Sequence, residues 1–294
     1  LVKDGDKYKL NTYPSPKDVT ADAAEFRRIP NLFEIVSFDY WNKNYEFEPS
    51  PEVTKWKEDY LSSEGGLEHV LGILSLKLRL SGKTDKEIEE IPLEEKLMMA
   101  NAFFGGGHEL VVSKRHFIDE AEYDSQLCSS GELTPMEHFH YFKFTIEAMK
   151  RIYANNRYIR YISVFQNWLK PAGASFDHLH KQLVSIDEWG TSIEREVDLL
   201  RTNPNIYNER ATNYAGYMNL VLAENEHAIA FADFGHRFPT LAVYSKSEKP
   251  NPMLMDDEEL RGMSDLVHAC HAAMGSSIPC NEEWYYTPLD STEA

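Results

Sequence analysis

The sequence contains no run of about 18 apolar residues, so no transmembrane helix is expected. Its start, Leu1-Val-Lys-Asp-Gly-Asp, is polar and acidic, unlike the apolar core of a secretory leader. An initiator Met is missing, which leaves room for residues upstream of Leu1. Cysteine is scarce: Cys128, Cys270 and Cys280 are odd in number, scattered, and never spaced Cys-x-x-Cys. That excludes a disulfide framework and reads as the reduced thiols of a cytoplasmic protein. Positive charge is also in short supply. With 30 Lys and Arg against 48 Asp and Glu, the formal net charge is −18, which argues against a long nucleic acid as the main partner. A small nucleotide held in a local pocket is still compatible.

What is present is a globular composition, 42% hydrophobic and 27% charged over 294 residues. Such a chain can bury one large core or two modest ones. Residues 1 to 30 are polar and Pro-containing and read as an irregular arm, and Arg28 to Val36 turns apolar as the start of a strand. Leu67, Val70, Leu71, Leu74 and Leu78 fall at helical spacing and predict one amphipathic helix over Tyr60 to Leu80. With the charged stretch around Pro92, residues of about 49–99 form a helical insertion. Gly105 to His116 predicts a strand bounded by glycine. Thr134-Pro135-Met136-Glu137 announces a helix with Thr as N-cap, Pro in the first turn and Glu closing a capping box. Phe139, Phe142, Ile146, Met149 and Tyr153 are its buried stripe. A strand from Tyr158 to Gln166 follows.

The second half repeats this plan faintly. Strands are predicted at Tyr214 to Ala223, Ala228 to Phe234 and Thr240 to Lys246, the last echoing Glu109 to Lys114. A helix opens at Asp256, and Asn281 to Thr287 closes as a strand. Strand, helix and strand in this order predict an α+β fold with antiparallel sheets, and the echo suggests duplication of one unit.

Chemistry concentrates between Val164 and Ile186. In a strand, His178, His180 and Gln182 point to one face and Leu179, Lys181 and Leu183 to the other, with alternate residues roughly 6.6 Å apart. Pro171-Ala-Gly173-Ala-Ser175 upstream is a small-residue turn able to bring backbone N–H groups to an anion. A His-x-His pair in a chain with 11 histidines can also be two exposed strand residues or a pair of metal ligands.

Asn167, Gly173-Ala-Ser175 and His178-x-His180-x-Gln182 together resemble the active-site signature of the galactose-1-phosphate uridylyltransferase-like family. This is the transferase branch of the histidine-triad superfamily, which also includes ADP-glucose phosphorylase. In that branch a Gln stands where hydrolases carry a third His, and Gln182 occupies that place. The resemblance implies two histidine-triad-like halves, each an antiparallel sheet with packed helices. Residues 1–204 would be the first half, with the insertion, and 205–294 a degenerate second half. It implies transfer of a nucleoside monophosphate between a nucleotide sugar and a sugar phosphate through a nucleotidyl-histidine, in a homodimer. His180 would be the nucleophile, its other ring nitrogen held by a backbone carbonyl. Gln182, Ser175 and the Gly173 turn would donate to phosphate oxygens, and Asn167 would orient phosphate or ribose. Asn31 and Phe33 match a Pro-Asn-x-Phe/Tyr stretch that packs on the nucleotide, although a turn Asn and a core Phe would look the same. Two alternatives stand beside this reading. One is a phosphorylase using inorganic phosphate, and the other a nucleotide-binding protein without activity.

The family's structural zinc would take His178 and, from Ser113-Lys-Arg-His116, His116. Its Cys pair does not occur in this chain: either it lies upstream of Leu1, which is the expectation favoured here, or the site is degenerate. Glu196 stands where some members bind a second metal, but no His-x-His follows Glu283 to Pro288, so none is expected. All of this requires that the His180 ring face a cleft able to admit a nucleotide.

Overall fold

Strand pairing around the imidazole pair organises the molecule. In a computed structural model, which describes residues 1–5, 7–31 and 33–291, the fold is α+β with antiparallel sheets, as expected. Residues 1 to 30 are not an irregular arm. They form a hairpin of β1 (Val2–Asp4) and β2 (Lys7–Lys9), a short helix α1 (Pro16–Thr20) and strand β3 (Phe26–Pro30). The arm is pinned at both ends: the Leu1 amine donates to the Phe26 carbonyl at 2.7 Å, and Tyr8 stacks on His140 at 3.6 Å. The expected strand through Val36 stops at Pro30, where the Asn31 side chain accepts from the Phe33 N–H and turns the chain. Leu32 lies outside the described residues.

Helix α2 (Phe38–Tyr45) leads to the helical stretch, made of α3 (Pro51–Ser62), α4 (Gly66–Leu80), α5 (Asp85–Glu89) and α6 (Leu93–Met99), with α7 (Asn101–Gly105) after it. The single helix predicted over Tyr60 to Leu80 is thus two. Gly65 turns at φ +75°, and a Cβ on Gly66 would meet the Tyr60 carbonyl oxygen at 1.8 Å. The periodic residues Leu67 to Leu78 all fall in the second of these helices, after a corner that only glycine can make.

The main sheet follows. It contains β4 (His108–Ser113), β5 (Tyr161–Trp168) and β6 (His180–Ile186), with helix α8 (Pro135–Asn155) between β4 and β5. The capping box forms as read: the Thr134 hydroxyl accepts from the Glu137 N–H, and the Glu137 carboxylate accepts from the Thr134 N–H. Phe142, Ile146 and Met149 of α8 share one core with Val111, Ile162, Val164, Leu179 and Leu183 on the underside of the sheet.

After α9 (Thr191–Thr202) come α10 (Asn213–Tyr217), β7 (Val221–Glu224), β8 (Ala228–Ala232), β9 (Leu241–Ser245), α11 (Asp257–Met274) and β10 (Cys280–Trp284). The predicted strand from Tyr214 begins instead as a helix, because Ala211 and Ala215 pack under Phe231. Asn219, at φ +56°, then turns the chain into β7. Strands β7, β8 and β9 make a second sheet on which α11 lies. The closing strand leaves that sheet: β10 pairs with β5, giving the order β10-β5-β6-β4-β3. The end of the chain therefore borders the residues that carry the signature.

Candidate active site

The turn between β5 and β6 sets the position of every signature side chain. Leu169 at φ +66° and Gly173 at φ +89° reverse the chain after Trp168. The Asn281 side-chain amide, reaching over from β10, clamps the reversal by donating to Asn167 Oδ1 at 2.7 Å and to the Ala172 carbonyl at 2.8 Å. Asn281 was not among the residues predicted for the site, since only strand pairing brings it there.

The alternation of faces holds along β6. Leu179, Lys181 and Leu183 are fully buried on the α8 side. His180 and Gln182 lie on the other face, the Gln182 position opposite Leu110 and Phe165. His178 precedes the strand, and its Nε2 donates to the Ser113 carbonyl at 2.7 Å.

His180 Nδ1 lies 2.7 Å from the His178 carbonyl oxygen. A carbonyl can only accept, so Nδ1 carries the ring proton and Nε2 keeps its lone pair. Burial lowers the imidazole pKa, outweighing the contrary pull of that hydrogen bond, so the ring is neutral at pH 7. Its surroundings differ from the expected open cleft. His180 is only 2% exposed, with the half-exposed Phe176 ring stacked on its face at 4.3 Å. Nε2 has no partner among the described residues, yet it is not one of the sealed, unpaired atoms of the interior. The ring face is covered, and the Nε2 edge is neither paired nor sealed. Two cavities of about 350 Å³ lie elsewhere, one lined by Arg28, Glu109 and Arg151, the other by Tyr13, Trp56 and Tyr60.

Gln182 meets a residue that sequence reasoning passed over. His108, 2% exposed at the start of β4, places Nε2 at 3.3 Å from Gln182 Oε1 and 3.0 Å from the Asn31 side-chain nitrogen. Asn31 thus joins the signature, whereas Phe33 is 55% exposed and projects from the loop. Ser175 is exposed beside Phe176. Strand alternation in Gly107-His108-Glu109-Leu110 was the available sign that His108 faces the site.

His116 and His178 do come together, their rings stacked at 4.7 Å, with His116 Nδ1 and Asp177 Oδ1 buried and unpaired nearby. Structural zinc takes four ligands. Among the described residues no group of three or more His, Cys, Asp or Glu converges on one point. Cys128 is buried with its thiol toward the Ser129 carbonyl. Two imidazoles do not fit the ion.

A family model matches residues 1–294. The chain belongs to the DUF4921 family, a domain of unknown function. No curated protein matches it. Among solved structures, this DUF4921 chain is similar to an ADP-glucose phosphorylase from Arabidopsis thaliana with bound ADP-glucose. Identity there is 20% and the TM-score 0.52, over 65% of this chain and 59% of that one. It is also similar to a GalT-like protein from Arabidopsis thaliana, at 21% identity and TM-score 0.51 over 65% and 61% of the two chains. A uridylyltransferase structure aligns at 18% identity and TM-score 0.50, over 64% and 60%. The DUF4921 chain aligns over about three fifths of the length of these structures. At such identities the likeness establishes the fold, which is GalT-like, in agreement with the family its signature resembles.

Proposed function

We propose that this chain is a nucleotidyltransferase that carries a nucleoside monophosphate on His180. His180 Nε2 attacks the α-phosphorus of a nucleotide sugar. The Nε2–P bond forms as the P–O bond to the sugar phosphate breaks, and sugar 1-phosphate leaves. A second sugar 1-phosphate, or inorganic phosphate, then attacks the same phosphorus and Nε2 departs. The ring proton stays on Nδ1 throughout. The His178 carbonyl that accepts it at 2.7 Å also stabilises the cationic ring of the intermediate.

The observation that carries this reading is the fixed tautomer of His180, with Nε2 unpaired and Gln182 on the same face of the strand. Gln182 can donate to the non-bridging phosphate oxygens, as can the Ser175 hydroxyl and the N–H groups of the Gly173 turn. A well-placed donor of this type contributes about 3–4 kcal/mol. Asn167, held by Asn281, orients phosphate or ribose, and Asn31 and the exposed Phe33 would pack on the base or ribose. Zinc has no part in the proposed steps. The phosphorylase variant gains support from the similar solved structure, which has ADP-glucose bound.

The test is covalent labelling. Incubation with ADP-glucose or UDP-glucose labelled in the α-phosphate should give an acid-labile, base-stable adduct on His180. His180→Ala should lose the adduct with little change in Tm. Absence of an adduct with every nucleotide sugar tried would leave only nucleotide binding without chemistry.

A further inference from the structure

An amide has two unlike ends, and only one is useful against a phosphate. If Gln182 turned its Oε1 toward the substrate, the oxygen would repel the phosphate oxygens rather than donate to them. Something must hold the side chain the other way round, and the groups packed against it supply the means.

His108 sits at the first position of β4, two residues before Leu110, whose backbone is opposite that of Gln182. Its Nδ1 accepts the backbone N–H of Ile35 at 3.0 Å. A nitrogen that accepts cannot carry the proton, so the single proton of the neutral ring is on Nε2. Burial keeps the ring neutral by lowering its pKa, against a smaller upward pull from Gln182. The nearer neighbour of Nε2, the Asn31 side-chain nitrogen at 3.0 Å, is itself a donor and cannot accept that proton, so Nε2–H donates to Gln182 Oε1, 3.3 Å away. The oxygen end of the amide is thereby occupied, and the Gln182 NH2 group, which has no protein partner among the described residues, is left for the site face.

We infer that His108 is a positioning residue that turns the donor end of Gln182 toward the transferred phosphate, its own tautomer being set by the Ile35 backbone amide. The inference rests on the nucleotidyl-transfer reading above. It also ties the Asn31–Ile35 loop to Gln182 through one ring, so a shift of the Ile35 N–H would free the amide to turn over.

The test combines two readouts. In wild-type protein labelled with 15N-histidine, the ring shifts of His108 should report a proton on Nε2 and none on Nδ1. A proton on Nδ1 would overturn the inference. In single-turnover labelling by saturating nucleotide sugar, His108→Phe should lower the rate of adduct formation roughly 10- to 100-fold, short of the 10²–10³ of deleting a donor. The half-saturating concentration should change little. His108→Gln can place an amide N–H near the position of Nε2, so it should recover most of the rate. If His108→Phe labels as fast as wild type, or His108→Gln is as slow as His108→Phe, the inference is wrong and the function proposed above is untouched. If wild type itself takes no label, that function fails and the positioning role goes with it.

Discussion

The imidazole on which the proposed chemistry rests, His180, lies under the ring of one phenylalanine. Phe176 stacks on His180 with an interplanar angle of 21°, which aligns the ring and shields its face while Nε2 stays free. Removing the phenyl group should uncover the imidazole. Phe176→Ala is therefore expected to raise the rate at which diethyl pyrocarbonate modifies His180 several-fold, roughly in line with a gain in accessibility at unchanged tautomer. Peptide mapping after timed exposure measures it, and an unaltered rate at His180 would mean that Phe176 does not control access.

The element beneath the site is held by charge as well as by packing. Lys181 points from β6 into the interior, with 0% of its side chain exposed, and meets Glu282 of β10 at 2.5 Å. Tyr141 and Trp284 flank the ammonium at 5.1 and 5.6 Å, while Trp284 Nε1 and His271 Nε2 also reach the Glu282 carboxylate. This cluster joins β10 to β6 across β5. It also fixes which face of β6 is down, because a slip of one residue would bring His180 inward and expose Lys181. Removing Lys181 takes the ammonium from a buried carboxylate and leaves it only His271 and the Trp284 N–H, and breaking a buried pair costs up to about 3–5 kcal/mol. Lys181→Met should lose about that much in urea unfolding, and Lys181→Met with Glu282→Leu should regain a large part of it. Equal losses in the single and double variants would show that the charges are not coupled. The approach of α11 to the turn at Ser130–Glu132 has a different cause: a Cβ on Gly131 would meet the Ala272 backbone at 2.6 Å.

For the molecule as a whole, the buried imidazoles govern stability against pH. Burial holds His108, His116, His138, His140 and His180 below the ordinary value of 6.5. The unfolded chain takes up these protons first, so stability is lost as pH falls below 6.5. Glu34 and Glu109, raised by burial, have the opposite slope in acid, but two carboxyls face five imidazoles. His271 behaves differently. Burial pulls it down, yet its hydrogen bonds to Cys280 and Glu282 prevail and raise it to about 9. Its contribution is full below 6.5 and fades as pH climbs to 9. The urea midpoint should therefore be highest near pH 6.5 and decline on both sides, on the alkaline side as His271 loses its proton toward pH 9. A midpoint still rising as pH drops from 6.5 to 5.5 would contradict this account.

Much of this protein could be read from residues close in sequence. The capping box at Thr134, the stripe of α8 and the alternation of His180, Lys181 and Gln182 depend on neighbours three or four residues away or fewer, so their spacing was sufficient. The GalT-like signature belongs to the same local class, since its six positions, Asn167, Gly173, Ser175, His178, His180 and Gln182, lie within one strand, one turn and the next strand. Tertiary structure decided the rest. The corner at Gly65 and the helix at Asn213–Tyr217 went against periodic patterns, because the outcome depended on what packed beside them. His108 and Asn281 joined the site through strand pairing, which links residues far apart in the chain, and Phe176 through a stack on the nearby His180 that the turn geometry sets. Burial of Lys181 beside Glu282 likewise required β10 to leave the second sheet for the first. Side-chain chemistry and local period are written in the order of residues, whereas the partner of a polar atom is fixed only when the strands are laid together.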